Sequence, residues 1–119
     1  MSQFGGDPYP KAAALGKVVV LPDDHQLFID IDTPEDHVCF ETRMLDVKAC
    51  GLDIVVDQTT ASTTEGHLHI TLRCGFVLDP VLRCALQAAL GSDRKRELLS
   101  LGRIISKVPL PPTVFFENP

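Results

Sequence analysis

Two dipeptides, Thr33-Pro34 and Asp79-Pro80, restrict the fold of this chain more than any other feature. In each, a side-chain oxygen stands where it can accept from the free N–H groups of a first helical turn. Proline follows where its missing N–H is no handicap. Glu35 and Asp36 add negative charge to the first of these turns, where the helix macrodipole favours it. Downstream, Gly51 and Gly91 offer left-handed stops. The spacing predicts a helix over residues 34–50, with Cys39, Phe40, Met44, Val47 and Cys50 on one arc. A second helix runs from Pro80 toward Gly91, with Val81, Leu82, Ala85, Leu86 and Ala89 as its apolar stripe.

The segments before and between these helices read as strands. Lys17-Val-Val-Val-Leu21 is β-branched, stops at Pro22-Asp-Asp, and is followed at once by Leu27-Phe-Ile-Asp-Ile-Asp32, which predicts two strands joined by a tight connection. Residues 52–57 and 67–72 alternate as an antiparallel pair around a polar loop at 58–66. Ser92 caps a third helix with a leucine face that ends at Gly102, and residues 103–108 read as a last edge strand. Pro109-Leu-Pro-Pro112 cannot donate to a ladder at three positions, so residues 113–116 form either an isolated strand or an apolar tail that docks.

At 119 residues the chain is sized for one domain with one core. The expected division is a mobile arm over residues 1–16, a single domain over 17–108 and a proline-rich apolar tail over 109–119. The arm is expected because two glycines and two prolines in the first ten residues oppose both helix and strand. The element order contains a β-α-β-β-α core. The expected fold is α+β, a single antiparallel sheet with helices on one face, ferredoxin-like or RNA-recognition-motif-like, the other face left open.

The formal charge of -5, from 11 basic and 16 acidic residues, argues against a protein that coats duplex DNA by bulk counterion release. The charge is unevenly spread. Residues 1–78 hold 5 basic and 12 acidic residues, residues 79–119 hold 6 and 4, and Arg94, Lys95, Arg96, Arg103 and Lys107 fall within 14 positions. No apolar run reaches the roughly 20 residues of a membrane span, and no signal-peptide pattern opens the chain, so a soluble, cytoplasmic protein is expected. Cys39, Cys50, Cys74 and Cys84 lack zinc-ligand spacing and are expected to be reduced and mostly buried.

Alternation assigns the faces. Leu27, Ile29 and Ile31 point toward the helices with Ile54, Val56, Leu68, Ile70 and Leu72, whereas Phe28, Asp30, Asp32, Asp53, Asp57, His67, His69 and Thr71 point away. Aspartate is a poor strand residue, and two carboxylates about 6–7 Å apart at the backbone repel each other unless a counter-ion holds them. Asp30 and Asp32 are therefore candidate ligands for Mg²⁺ or Mn²⁺, with two imidazoles on the same face.

The run Leu27-Phe-Ile-Asp-Ile-Asp32, followed by Ser62-Thr-Thr-Glu-Gly-His-Leu-His-Ile-Thr-Leu72, resembles motifs I and II of the archaeo-eukaryotic primase superfamily, the primase-polymerases. The resemblance implies that Asp30 and Asp32 hold catalytic metal and that His69 contacts the incoming nucleotide's phosphates. Leu90-Gly-Ser-Asp93, with Arg103 downstream, is similar to the family's third acidic segment. On that resemblance Asp93 would be a third metal ligand, with Asp57, or no third ligand, as the alternatives. On this reading His67 assists at the triphosphate, and Arg94, Lys95, Arg96 and Arg103 lie near phosphate. Nucleoside triphosphate and nucleic acid are the implied partners, and a homodimer is a further expectation. The stretch Gln87 to Arg96 is also similar to small phage-encoded proteins, which implies a host cytoplasm.

Two other readings use the same fold. One is a non-catalytic binding or oligomerisation module that docks through Phe115 and Phe116, and the other a small metal-dependent nuclease, since two-metal chemistry also cleaves phosphodiesters. A lone His69-Ile-Thr71 lacks the second copy that two-histidine phosphoesterases need, and no Gly-x-Ser-x-Gly elbow is present.

Overall fold

A computed structural model of the chain describes residues 7–62 and 66–118. In chain order these form α1 (Pro8–Ala14), β1 (Val18–Val20), β2 (Gln26–Ile31), α2 (Pro34–Ala49), β3 (Ile54–Ala61), β4 (Leu68–Cys74), α3 (Pro80–Ala89), α4 (Arg94–Ile105) and β5 (Phe115–Glu117). The fold is α+β. The expected caps are in place, with Thr33 Oγ1 accepting from the amide of Asp36 at 3.1 Å and Asp79 Oδ1 from that of Leu82 at 2.8 Å. Among the described residues no helix is long and apolar enough to cross a membrane.

The strands form two antiparallel sheets rather than the single one expected: β2-β4-β3, and a small pair, β1-β5. The helix α2 links two strands that flank β4, so its crossover skips one position. Leu27, Ile29, Ile31, Ile70 and Leu72 meet Phe40, Val47, Leu78 and Leu90 in the main core, with Met44 and Leu86 packed against it. This is the inward row that alternation assigns. Val56 is the exception: it pairs with the buried Leu72 yet is 50% exposed, on β3, the edge strand of its sheet, and a bulge at Asp57 follows it. Past that bulge the strand continues to Ala61, through residues expected to be loop.

The face expected to be open is covered in part, over Phe28 and His69. Val18, Val19 and Val20 pair with Glu117, Phe116 and Phe115 instead of turning back on β2, and the pair lies over the main sheet. Phe115 stacks in parallel on Phe28 at 4.3 Å and on His69 at 4.0 Å between centroids. Two rings cannot share one side of a phenyl at those distances, so Phe115 sits between them. The tail follows α4 to reach this position, with Ser100 Oγ donating to the carbonyl of Pro112 and Arg96 Nη2 to that of Val114. The tail thus docks, and the strand it forms, Phe115–Glu117, is paired with β1 rather than isolated.

Three helices depart from expectation. Residues 8–14 are helical within the supposed arm, because Asp7 accepts from the amide of Tyr9 and Pro8 follows it, the same cap-and-proline start used twice elsewhere. Met1 to Gly6 lie outside the described residues. The helix α4 passes through Gly102 to Ile105, which replaces the expected strand over 103–108. The left-handed stop falls at Lys107, φ 55°. In α3 the polar side is buried, with Arg83, Cys84 and Gln87 inside and Val81 54% exposed. Cys39 and Cys50 are exposed on or beside α2, so only Cys74 and Cys84 meet the expectation of buried thiols.

The inversion of α3 has a physical cause. Within its sheet β2 is an edge strand, and its outward backbone groups need partners. Arg83 Nε donates to the carbonyl of Gln26 at 3.1 Å, Gln87 Oε1 accepts from the amide of Phe28 at 2.8 Å, and Arg96 Nη1 donates to the carbonyl of Phe28 at 2.7 Å. Ser92 Oγ accepts from the amide of Asp30 at 3.0 Å, and the amide of Asp93 donates to the carbonyl of Asp30 at 3.0 Å. Side chains and a helix N-terminus thus stand in for a fourth strand beside Asp30.

Candidate metal centre

The closed edge holds β2 rigidly from one side, and β4 holds it from the other. Asp30 lies opposite His69 in the ladder, and Ile31 opposite Leu68, which brings His67 toward Asp32. Two carboxylates and two imidazoles therefore share one patch of the sheet. His67 Nδ1 is 3.2 Å from Asp32 Oδ1, and His69 Nε2 is 3.9 Å from Asp30 Oδ1.

Asp30, Asp32 and His67 each offer a ligand atom, and these atoms all lie within 4.8 Å of one another. Ligands cis to one another on a cation with bonds of about 2.0–2.2 Å sit roughly 3 Å apart, so the His67 and Asp32 atoms already have that separation. The pair of oxygens and one nitrogen could together hold a divalent cation. The Asp32 carboxyl is held above its ordinary value of 3.8, first by partial burial and then by the charges of Asp30 and Asp93, with His67 acting in the opposite sense. A cation there would relieve that repulsion.

His69 has a different environment. It is only 8% exposed, beneath Phe115, and its Nδ1 lies 3.2 Å from Glu117 Oε1. A proton on Nδ1 shared with Glu117 fixes the ring and leaves Nε2 on the side of Asp30. Glu117 escaped the sequence reading because β5 follows a run of prolines, and its approach to His69 spans 48 positions.

The basic run of α4 is divided by the structure. Arg96 points inward, bonded to Phe28, Ser92 Oγ and Glu97 Oε2, with its guanidinium 5.1 Å from the Phe115 ring centroid. Arg94 lines a recess with Asp36, Arg43 and Asp93, whereas Lys95 and Arg103 line another with Leu99 and Pro112. Asp93 caps α4 through the amide of Lys95 and acts on Asp32 by charge, outside the three-residue metal group. Asp57, the other candidate third ligand, approaches Arg73 Nε at 4.0 Å and is likewise outside that group.

A cleft of about 540 Å³ opens beside the carboxylates. It is lined by Asp30, His69 and Arg96, by Lys11, Leu15 and Lys17 at the end of α1 and the start of β1, and by Val114, Phe115 and Phe116 of the tail. Lys11 falls in the expected arm, whereas Lys17 opens the first expected strand. Asp7-Pro8, read as a helix start, would have placed Lys11 on a folded element. No family model, no curated protein and no solved structure matches the chain.

Proposed function

We propose that the chain binds Mn²⁺ or Mg²⁺ on Asp30, Asp32 and His67 and uses it on nucleotide phosphates, with nucleotidyl transfer of the primase-polymerase kind as the reaction. The observation that carries this reading is the mutual approach, within 4.8 Å, of one ligand atom from each of those three residues. When bound, the cation supplies Lewis-acid stabilisation of charge on phosphoryl oxygens. The chain's own contribution is positional. The edge contacts of Ser92 and Asp93 hold the Asp30 backbone, and Glu117 holds the His69 ring in the cleft lining.

On this reading nucleic acid is the second substrate, and the four unpaired thiols support a reducing, cytoplasmic setting. Phe115 serves the fold, so a docking module would have to use other surfaces than the tail. The exposed Val81 and Leu82 of α3 are the observation that favours such a module, with a second copy as one occupant.

The test is Mn²⁺ titration followed by electron paramagnetic resonance, on wild type and the Asp30→Ala/Asp32→Ala double variant, followed by calorimetry with nucleoside triphosphate. Stoichiometric Mn²⁺ uptake by wild type, lost in the variant, is the expected result. Equal behaviour of the two proteins would leave both aspartates as solvated strand residues.

A further inference from the structure

We infer that the cleft between α1 and β5 takes a polyphosphate chain and that Lys11 and Lys17 are its phosphate contacts. This rests on the metal-dependent reading above for the cation at Asp30, and it moves the anion-binding role from the basic run of α4 to the first helix and its exit.

Charge is the first argument. Two cations, Lys11 and Lys17, line a single cleft with one carboxylate, Asp30, in a chain whose formal charge is -5, while the third cation of the lining, Arg96, is matched by Glu97. Concentrating positive side chains where the whole molecule is negative creates a local potential that selects anions. Arg96 already donates to the Phe28 carbonyl, Ser92 and Glu97, so its hydrogen-bonding capacity belongs to the fold. The two lysines are held loosely by comparison. Lys17 Nζ donates to Asn118 Oδ1 at 2.7 Å, an exposed neutral partner, and Lys11 Nζ lies 5.7 Å from the centroid of the Phe116 ring. A phosphate oxygen is a stronger partner than either an amide or a ring face.

Position is the second argument. The cleft shares Asp30 with the metal group, so an anion between the lysines and a cation at Asp30 would be neutralised from both ends. Its volume of about 540 Å³ suits one small molecule rather than a polymer. Leu15, Val114 and Phe116 give it an apolar part against which a base could lie. A nucleoside triphosphate and inorganic tripolyphosphate share the recognised chemistry, and the experiment separates them.

The variant is Lys11→Gln/Lys17→Gln, with Lys11→Arg/Lys17→Arg as the charge-preserving control and thermal melts to confirm folding. Mn²⁺ alone, ATP with Mn²⁺, and inorganic tripolyphosphate with and without Mn²⁺ are titrated calorimetrically. Affinity for ATP and for tripolyphosphate should fall about tenfold or more in the glutamine variant, as expected for loss of charge-assisted contacts, and return in the arginine control. Mn²⁺ affinity should be unchanged. Tighter binding of ATP than of tripolyphosphate, with the excess lost in Phe116→Ala, identifies a nucleotide; equal binding identifies the inorganic chain.

If the glutamine variant binds both probes as wild type does, or wild type binds neither, the lysine assignment is overturned while Mn²⁺ uptake still stands as its own result. If wild type takes up no Mn²⁺, the metal reading fails. The metal-free tripolyphosphate arm then decides the lysines, supporting them if binding depends on Lys11 and Lys17 and overturning them if it does not.

Discussion

Arg96 Nη1 donates to the backbone carbonyl of Phe28 over 2.7 Å, and the same nitrogen lies 3.0 Å from Glu97 Oε2. A side chain from the basic run thereby closes the free edge of β2, and its positive charge answers a carboxylate that is only 1% exposed. Removing one partner of such a buried pair leaves the other uncompensated.

Arg96→Ala is therefore expected to lower stability by about 3 kcal/mol, read as a shift in the urea midpoint at constant slope. Arg96→Lys should recover only part of that, because an ammonium cannot reach the Phe28 carbonyl, Ser92 and Glu97 with one planar fork. An arginine whose role was to meet phosphate in solvent would leave the midpoint nearly unchanged on truncation.

Phe115 carries the second layer. Phe115→Ala should cost about 3–4 kcal/mol, because the ring is buried between Phe28 and His69. The His69 ring resonances should move toward a solvent-exposed position in the same variant. Phe116→Ala, at a half-buried position on the cleft wall, should cost less than half as much.

Much of this arrangement was legible in the residues. Leu27, Ile29 and Ile31 face the core because strand side chains alternate, and the same rule brings Asp30, Asp32 and His67 to one patch. The caps at Thr33 and Asp79 are local signals, and Asp7-Pro8 is a third copy obscured by the glycines and prolines around it. The burial of Gln87 and Arg83 could not be read the same way. Their partners are backbone groups on the edge of β2, which carry no sequence signature. Glu117 reaches His69 and Phe116 reaches the cleft only because the tail folds back along α4, a long-range outcome that no local period encodes.

Glu97 provides a pH test. Burial pushes its carboxyl above the ordinary 4.5, opposed by Arg96 and by hydrogen bonds from Ser92 and Gln87. With the folded value raised, the native state holds its proton over a range where the unfolded chain has lost it. The contribution to stability then falls as pH rises from 4.5 through the raised value. Glu97→Gln mimics the protonated form at every pH. Wild type should thus lose ground to the variant as pH rises from about 4.5 to 7 in paired thermal melts. The opposite slope would show that Arg96 wins and holds Glu97 as an anion below its ordinary value.

Asp32 sets stability against metal binding. Its carboxyl is raised by burial and by Asp30 and Asp93, so in metal-free buffer the ionised form opposes folding, and increasingly so as pH rises above 3.8. Asp32→Asn removes that repulsion and should raise the metal-free melting temperature at pH 7, by about 1–2 °C given how exposed the group is. Saturating Mn²⁺ should reverse the order. An ion bound only by the native state adds about 2.7 kcal/mol at a hundred times its Kd, so wild type gains several degrees while the variant, short of one ligand, gains little. Two melting curves that cross on adding metal are the expected signature of a carboxylate kept at a strained position for its ligand. If Asp32→Asn melts below wild type without metal, Asp32 is stabilising in the free protein and the repulsion argument fails. If Mn²⁺ shifts both proteins equally, the ion binds without Asp32.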